Sequence, residues 1–149
     1  MSRLRSWLPA LAWALFIFVS STAAFSSPHT SRIILPLLRW LLPGADPATL
    51  ELLHEFARKC AHFVNYFVLG LFLFRAVRAP HPGWAPRWAA LALLLASAYA
   101  ASDEYHQSFA AGRGPSVLDA LLDISGAATA QLVAWMFTRE SERPAPADS

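Results

Sequence analysis

The apolar residues of this chain gather into long blocks, separated by charged or turn-forming residues, and those blocks predict its elements. The first runs from about Trp7 to Phe25 behind Arg3 and Arg5, long enough to span a bilayer. A cleaved signal peptide competes with that reading, because Ser21-Thr22-Ala23 loosely resembles a cleavage site. The length and the tryptophans favour a retained span. The segment from Ser26 to Gly44 is different. Its apolar positions, Ile33, Ile34, Leu37, Leu38, Trp40 and Leu41, are interrupted by Pro36 and flanked by Arg32 and Arg39, a pattern that suits the membrane surface.

Asp46-Pro47 then reads as an N-cap followed by proline at the first helical position. The helix starting there passes Glu51 and Glu55 at the interface, enters the membrane near Cys60 and runs to Arg75 and Arg78, whose stems can carry their charge back to water. His81 to Arg87 is a Pro- and Gly-rich turn with Trp84, suited to an interface. A third span is expected from Trp88 to Ala101. It is short unless Ser102 and Asp103 are protected inside a bundle. The loop His106–Pro115 precedes a fourth span, about Ser116 to Phe137. The predicted fold class is therefore all-α: a polytopic membrane protein with four transmembrane helices and an interfacial helical segment between the first two. One domain covers residues 1–139, and the Pro-, Ala- and charge-rich stretch 140–149 reads as a short disordered cytoplasmic tail.

Composition agrees with a membrane bundle. Of the 149 residues 56% are hydrophobic and 15% charged, against roughly 25% charged in soluble domains. The net charge of +2, with no basic stripe, argues against nucleic acid as a partner. Cys60 is the only cysteine and so forms no internal disulfide; in its apolar stretch it reads as a small packing residue. Charge also orients the chain. With the N-terminus inside, the inner segments carry Arg3, Arg5, Arg75, Arg78, Arg87, Arg139 and Arg143, and the outer ones Arg32, Arg39, Arg58, Lys59 and Arg113. The bias favours both termini in the cytoplasm.

That orientation collects the unusual residues on the outer side. Lys59, His62 and Tyr66 are spaced i, i+3, i+7 and share a face of the second span. Asp103, His106 and Gln107 follow i, i+3, i+4 at the end of the third, with Glu104 and Tyr105 beside them. Ser116, Asp119 and Asp123 repeat the i, i+3, i+7 pattern at the start of the fourth. Gly126 continues that face and Gly70 plays the same part on the second span, both permitting close helix contact. Three helices thus present polar stripes at one depth, where an ionisable group is costly unless paired or wet. Bland readings stand beside these. Ser116 and Asp119 form a capping box, Gly112-Arg113-Gly114-Pro115 makes a turn, and His62 and His106 are structural hydrogen-bonders. Asp123 lies too deep for capping and calls for a partner such as His62, Tyr66 or Arg113. His29, His54 and His81 carry no partner pattern, and Tyr99 and the tryptophans read as belt or packing residues.

Lys59-x-x-His62-Phe63-x-x-Tyr66, then Asp103-Glu104-x-His106-Gln107-x-Phe109, then Gly112-Arg113-x-x-Ser116-x-x-Asp119 and Gly126 resemble the VanZ-like family, from the first span to the fourth. Two positions depart from the family's pattern. Ala111 stands where proline usually precedes Gly-Arg, which loosens the turn, and Asp123 stands where asparagine is frequent, which adds a charge. The founding member is associated with low-level teicoplanin resistance. The resemblance therefore implies a multi-pass protein of the bacterial cytoplasmic (inner) membrane and the cell envelope, with a link to antibiotic resistance as a class, and leaves open whether it is an enzyme.

The residues support three readings. In the first, the protein acts on a lipid-linked or phosphorylated envelope head group. Arg113 and the start of the fourth span cradle the anion. His106 or His62 serves as acid or base, oriented by Asp103 or Asp119, with Glu104 in the same catalytic set. Lys59, Tyr66, Gln107, Arg113, Ser116 and Asp123 bind the ligand. A divalent cation held by Asp103, Glu104, His106 and Asp119 is a variant, although the spacing matches no defined metal motif. In the second, the same cleft is a non-catalytic binder of membrane lipid, cell-wall precursor or glycopeptide. The third is a small proton-coupled transporter, for which four spans are few unless an oligomer supplies the path.

Overall fold

The computed structural model describes residues 3–22, 27–108 and 116–141, and every described element is helical. In chain order these are α1 (Arg3–Ser20), α2 (Ser27–Leu41), α3 (Pro47–Arg78), α4 (Pro86–Gln107) and α5 (Val117–Ser141). Two of them, α3 and α5, are both long and apolar enough to cross a membrane. The apolar run of α1, Leu4–Ser20, is shorter, and α4 is long enough but less apolar. The four blocks are therefore not equivalent as spans.

α3 is the central element, packing on α1, α2, α4 and α5. Its start is as the sequence predicts: the Asp46 carboxylate accepts from the Thr49 amide at 3.0 Å and from its hydroxyl at 2.6 Å, with proline at the first turn. The Thr49 hydroxyl and amide together hold the Asp46 carboxyl below the usual carboxylate range. At 32 residues, α3 is about 48 Å long at 1.5 Å per residue, against roughly 30 Å of hydrocarbon. Its N-terminal half carries Glu51, Glu55, Arg58 and Lys59, and Arg58 pairs with Glu55 at 2.7 Å. Leu50 and His54, one turn apart, are nevertheless buried there.

The remaining contacts explain where expectation and structure differ. α1 ends at Ser20, short of Phe25, because the Ser20 and Thr22 hydroxyls donate back to the Ile17 and Val19 carbonyls and finish its last turn. It is fastened into the bundle by the Trp13 indole on the Asn65 carbonyl (2.9 Å) and by the Tyr99 hydroxyl on the Ala14 carbonyl (2.6 Å). α4 continues six residues past the expected end at Ala101. Its inner face is the small-residue stripe Ala89, Ala92, Ala96 and Ala100, and Asp103 and Gln107 continue that stripe and are buried with it. The α3–α4 turn closes with Gly83 at φ 77°, a backbone setting that suits glycine, and the Arg78 guanidinium donates to its carbonyl. Cys60 is exposed on α3, not packed in the core. α5 extends through Ser141, so the first two residues of the expected tail are helical; those from 142 onward lie outside the described residues.

α3 and α5 make the tightest contact. A Cβ on Gly126 would overlap the Phe63 carbonyl oxygen, and one on Gly70 would sit 2.9 Å from the Ala130 Cβ. Gln131 reinforces the seam, donating to the Gly70 carbonyl at 3.2 Å.

Candidate functional site

The bundle brings α1, α3, α4 and α5 together around one carboxylate. Asp103 is 4% exposed, and its Oδ2 accepts from the Ser21 hydroxyl (3.0 Å), the Tyr66 hydroxyl (3.3 Å) and the Gln107 amide (2.8 Å). Tyr66 is fully buried, and its ring lies 6.2 Å from that of Tyr99. Beside this hub, His62 Nδ1 lies 3.4 Å from Asp123 Oδ1, too long for an aligned hydrogen bond and an ion pair only when the imidazole is protonated. Asp123 is 2% exposed, whereas 22% of the His62 side chain is open. Asp123 thus finds the His62 partner that its depth demanded. A buried carboxylate and a partly open imidazole form the usual geometry for a positioned acid or base.

At the α4–α5 junction the capping box is only half formed. The Ser116 hydroxyl accepts from the Asp119 amide at 3.2 Å, as a cap should. The Ser116 amide, however, donates to Glu104 Oε1 at 2.6 Å. Glu104, buried at 7% exposure, thus supplies from α4 the carboxylate that a self-contained box draws from its own helix. Glu104 thereby tethers two helix ends. Ser116→Ala is expected to cost about 1 kcal/mol of stability if capping is its whole role. Unchanged unfolding in urea would contradict that.

His106 lies against α1. Its ring stacks on Phe18 of α1, 4.7 Å between centroids, and its buried Nδ1 has no hydrogen-bond partner among the described residues. That Nδ1 takes no orienting bond from Asp103 or Asp119. Of the two histidines, His62 is the one with a carboxylate contact among the described residues, Asp123 at 3.4 Å. Lys59 is exposed, so its face of α3 runs from the surface inward through His62 to Tyr66. Asp119 is half-buried, one turn from Asp123. Arg113, with Gly112 and Phe109, lies outside the described residues. Among the described residues, no three His, Cys, Asp or Glu side chains converge to hold a metal ion, so the cation set of Asp103, Glu104, His106 and Asp119 is not assembled.

Sequence reasoning missed two participants. Ser21 looked like part of a cleavage site, and only the α1–α4 approach reveals its bond to Asp103. Gln131 is a lone polar residue in an apolar run, a signal that was available. His81 also has a partner, its ring lying 5.7 Å from that of Trp88 and nearly parallel.

No curated protein and no solved structure matches the chain. One family does, VanZ/LLP1, over residues 6–138. That interval contains the Asp103 hub, the His62–Asp123 pair and the Glu104–Ser116 tether. The chain belongs to the VanZ/LLP1 family.

Proposed function

We propose that the protein crosses the bacterial cytoplasmic membrane four times, through α1, α3, α4 and α5. Both termini are cytoplasmic, α2 lies along the outer surface, and residues 1–139 form one membrane domain. The polar cluster then acts at the outer face on the head group of an envelope lipid or lipid-linked precursor. The observation that supports this reading most is the burial of a connected polar cluster, centred on Asp103, in an otherwise apolar bundle. Such groups are expensive in a membrane and are kept for function by default.

In this reading His62 moves the proton. Asp123 faces its Nδ1 and favours the tautomer that holds a proton there, leaving Nε2 as the base toward the open side. Tyr66 and Gln107 set the Asp103 carboxylate in place. Arg113 and its flanking glycines supply the anion contact expected from the sequence. The alternative is a binding module using the same cluster without turnover.

The test is to incubate the purified protein in lipid nanodiscs with an envelope lipid extract and follow lipid masses. A lipid converted by the wild type should be converted about 100-fold more slowly by His62→Ala, the scale of a lost acid–base group, with lipid retention unchanged. If the wild type retains a lipid but alters none, the protein is a binding module. If it neither retains nor converts any lipid, the head-group reading fails.

A further inference from the structure

The hydrogen-bond inventory of the cluster is lopsided. The described donors, the Ser21 and Tyr66 hydroxyls and the Gln107 amide, all converge on Asp103 Oδ2. Asp103 Oδ1 and Gln107 Oε1 are buried and have no donor among the described residues. Asp123 Oδ1 has only the 3.4 Å contact to His62. The side chains concerned are 4%, 1% and 2% exposed, respectively. Buried acceptors without donors are rare in folded proteins and call for a partner. Among the described residues, these oxygens lack a donor.

The charge points the same way. Asp103 and Asp123 lie within electrostatic reach of each other, and Glu104 and Asp119 lie within reach of Asp123. Among the described residues, His62 is the group beside both buried aspartates that can take a positive charge, and it carries one only when protonated. A phosphate brought here would add acceptors and negative charge to a place that already has both. A quaternary ammonium would bring charge but no N–H.

We infer that the Asp103–Gln107–Asp123 cluster receives a hydrogen-bond-donating group of the ligand, a hydroxyl or a primary ammonium, and that the phosphate of the head group lies elsewhere. The inference rests on the head-group reading above and names the part of the head group that the cluster recognises. Hydroxyl and ammonium share the chemistry that the open oxygens require, and the experiment separates them.

The full chain in detergent is presented in native mass spectrometry with four phospholipids of matched acyl chains. Phosphatidylethanolamine carries the primary ammonium and phosphatidylglycerol the hydroxyls. Phosphatidylcholine has a cation without N–H, and phosphatidic acid a bare phosphate. One of the first two, or both, should be retained at least about tenfold better than the last two, the scale of one or two hydrogen bonds gained. Ethanolamine alone assigns the ammonium, and glycerol alone the hydroxyl. Asp103→Asn keeps an oxygen for Ser21, Tyr66 and Gln107 and places an NH₂ where the open oxygen stood; it should abolish the preference while the thermal midpoint holds. Equal retention of phosphatidic acid or phosphatidylcholine overturns the inference and leaves the head-group reading standing. Retention of none of the four overturns the inference, and the envelope-extract experiment above then decides the head-group reading. A preference that survives in folded Asp103→Asn also overturns the inference, and the wild-type comparison decides on its own if that variant fails to fold.

Discussion

Gly126→Ala is expected to destabilise the protein by about 2–3 kcal/mol, the cost of forcing bulk into a packed contact. Helix propensity alone predicts the opposite sign, a gain of about 1 kcal/mol for alanine over glycine inside a helix. The contact decides. The new Cβ would overlap the Phe63 carbonyl oxygen and stand 3.2 Å from the Phe63 carbonyl carbon and the Phe67 amide nitrogen. All three are backbone atoms of α3, which cannot turn aside as a flexible side chain can. Gly44→Ala is the control, because its Cβ would meet nothing within 4 Å. Thermal midpoints in detergent check the pair: Gly126→Ala should fall well below wild type and Gly44→Ala should not. A Gly126→Ala protein as stable as wild type would mean that α3 and α5 are not in this close register.

Asp103→Ala should be comparably severe. It strips the acceptor from Ser21, Tyr66 and Gln107 at once, and two of those three side chains are fully buried. An unsatisfied buried donor costs about 1–3 kcal/mol, so a loss of at least about 3 kcal/mol is expected. Removing a buried carboxylate recovers some desolvation cost, but the orphaned donors outnumber the charge removed. Asp103→Asn, which keeps an acceptor oxygen, should stay within about 1 kcal/mol of wild type. Chemical denaturation of the two variants side by side checks the hub. If alanine and asparagine behave alike, the three donors do not depend on Asp103.

Helical spacing made much of the site legible. The stripes His62–Tyr66, Asp103–Gln107 and Ser116–Asp119–Asp123 each predicted a shared face, and the bundle gathers His62, Tyr66, Asp103, Gln107 and Asp123 into one cluster. Periodicity describes one helix at a time, however. The register between helices lies outside it, which is why Ser21, just past α1, and the Glu104 bond to the Ser116 amide were not foreseen. Cys60 shows a different limit. In an apolar span both the core side and the outward side are hydrophobic, so apolar neighbours do not say which way a residue faces. The end of α4 was misplaced for a related reason. Hydropathy stops at Ala101, while the alanine stripe carries on geometrically into Asp103 and Gln107, which stay helical because their partners are inside the bundle.

An outer-face head-group site requires the polar end of the bundle to face outward. The most direct measurement places a single reporter thiol at that end. Glu51 is exposed on the charged start of α3, so Glu51→Cys in a Cys60→Ala background gives one reactive site. A membrane-impermeant maleimide should label it fully in intact spheroplasts. Labelling only after lysis would put the cluster on the cytoplasmic side and contradict an outer-face head-group site.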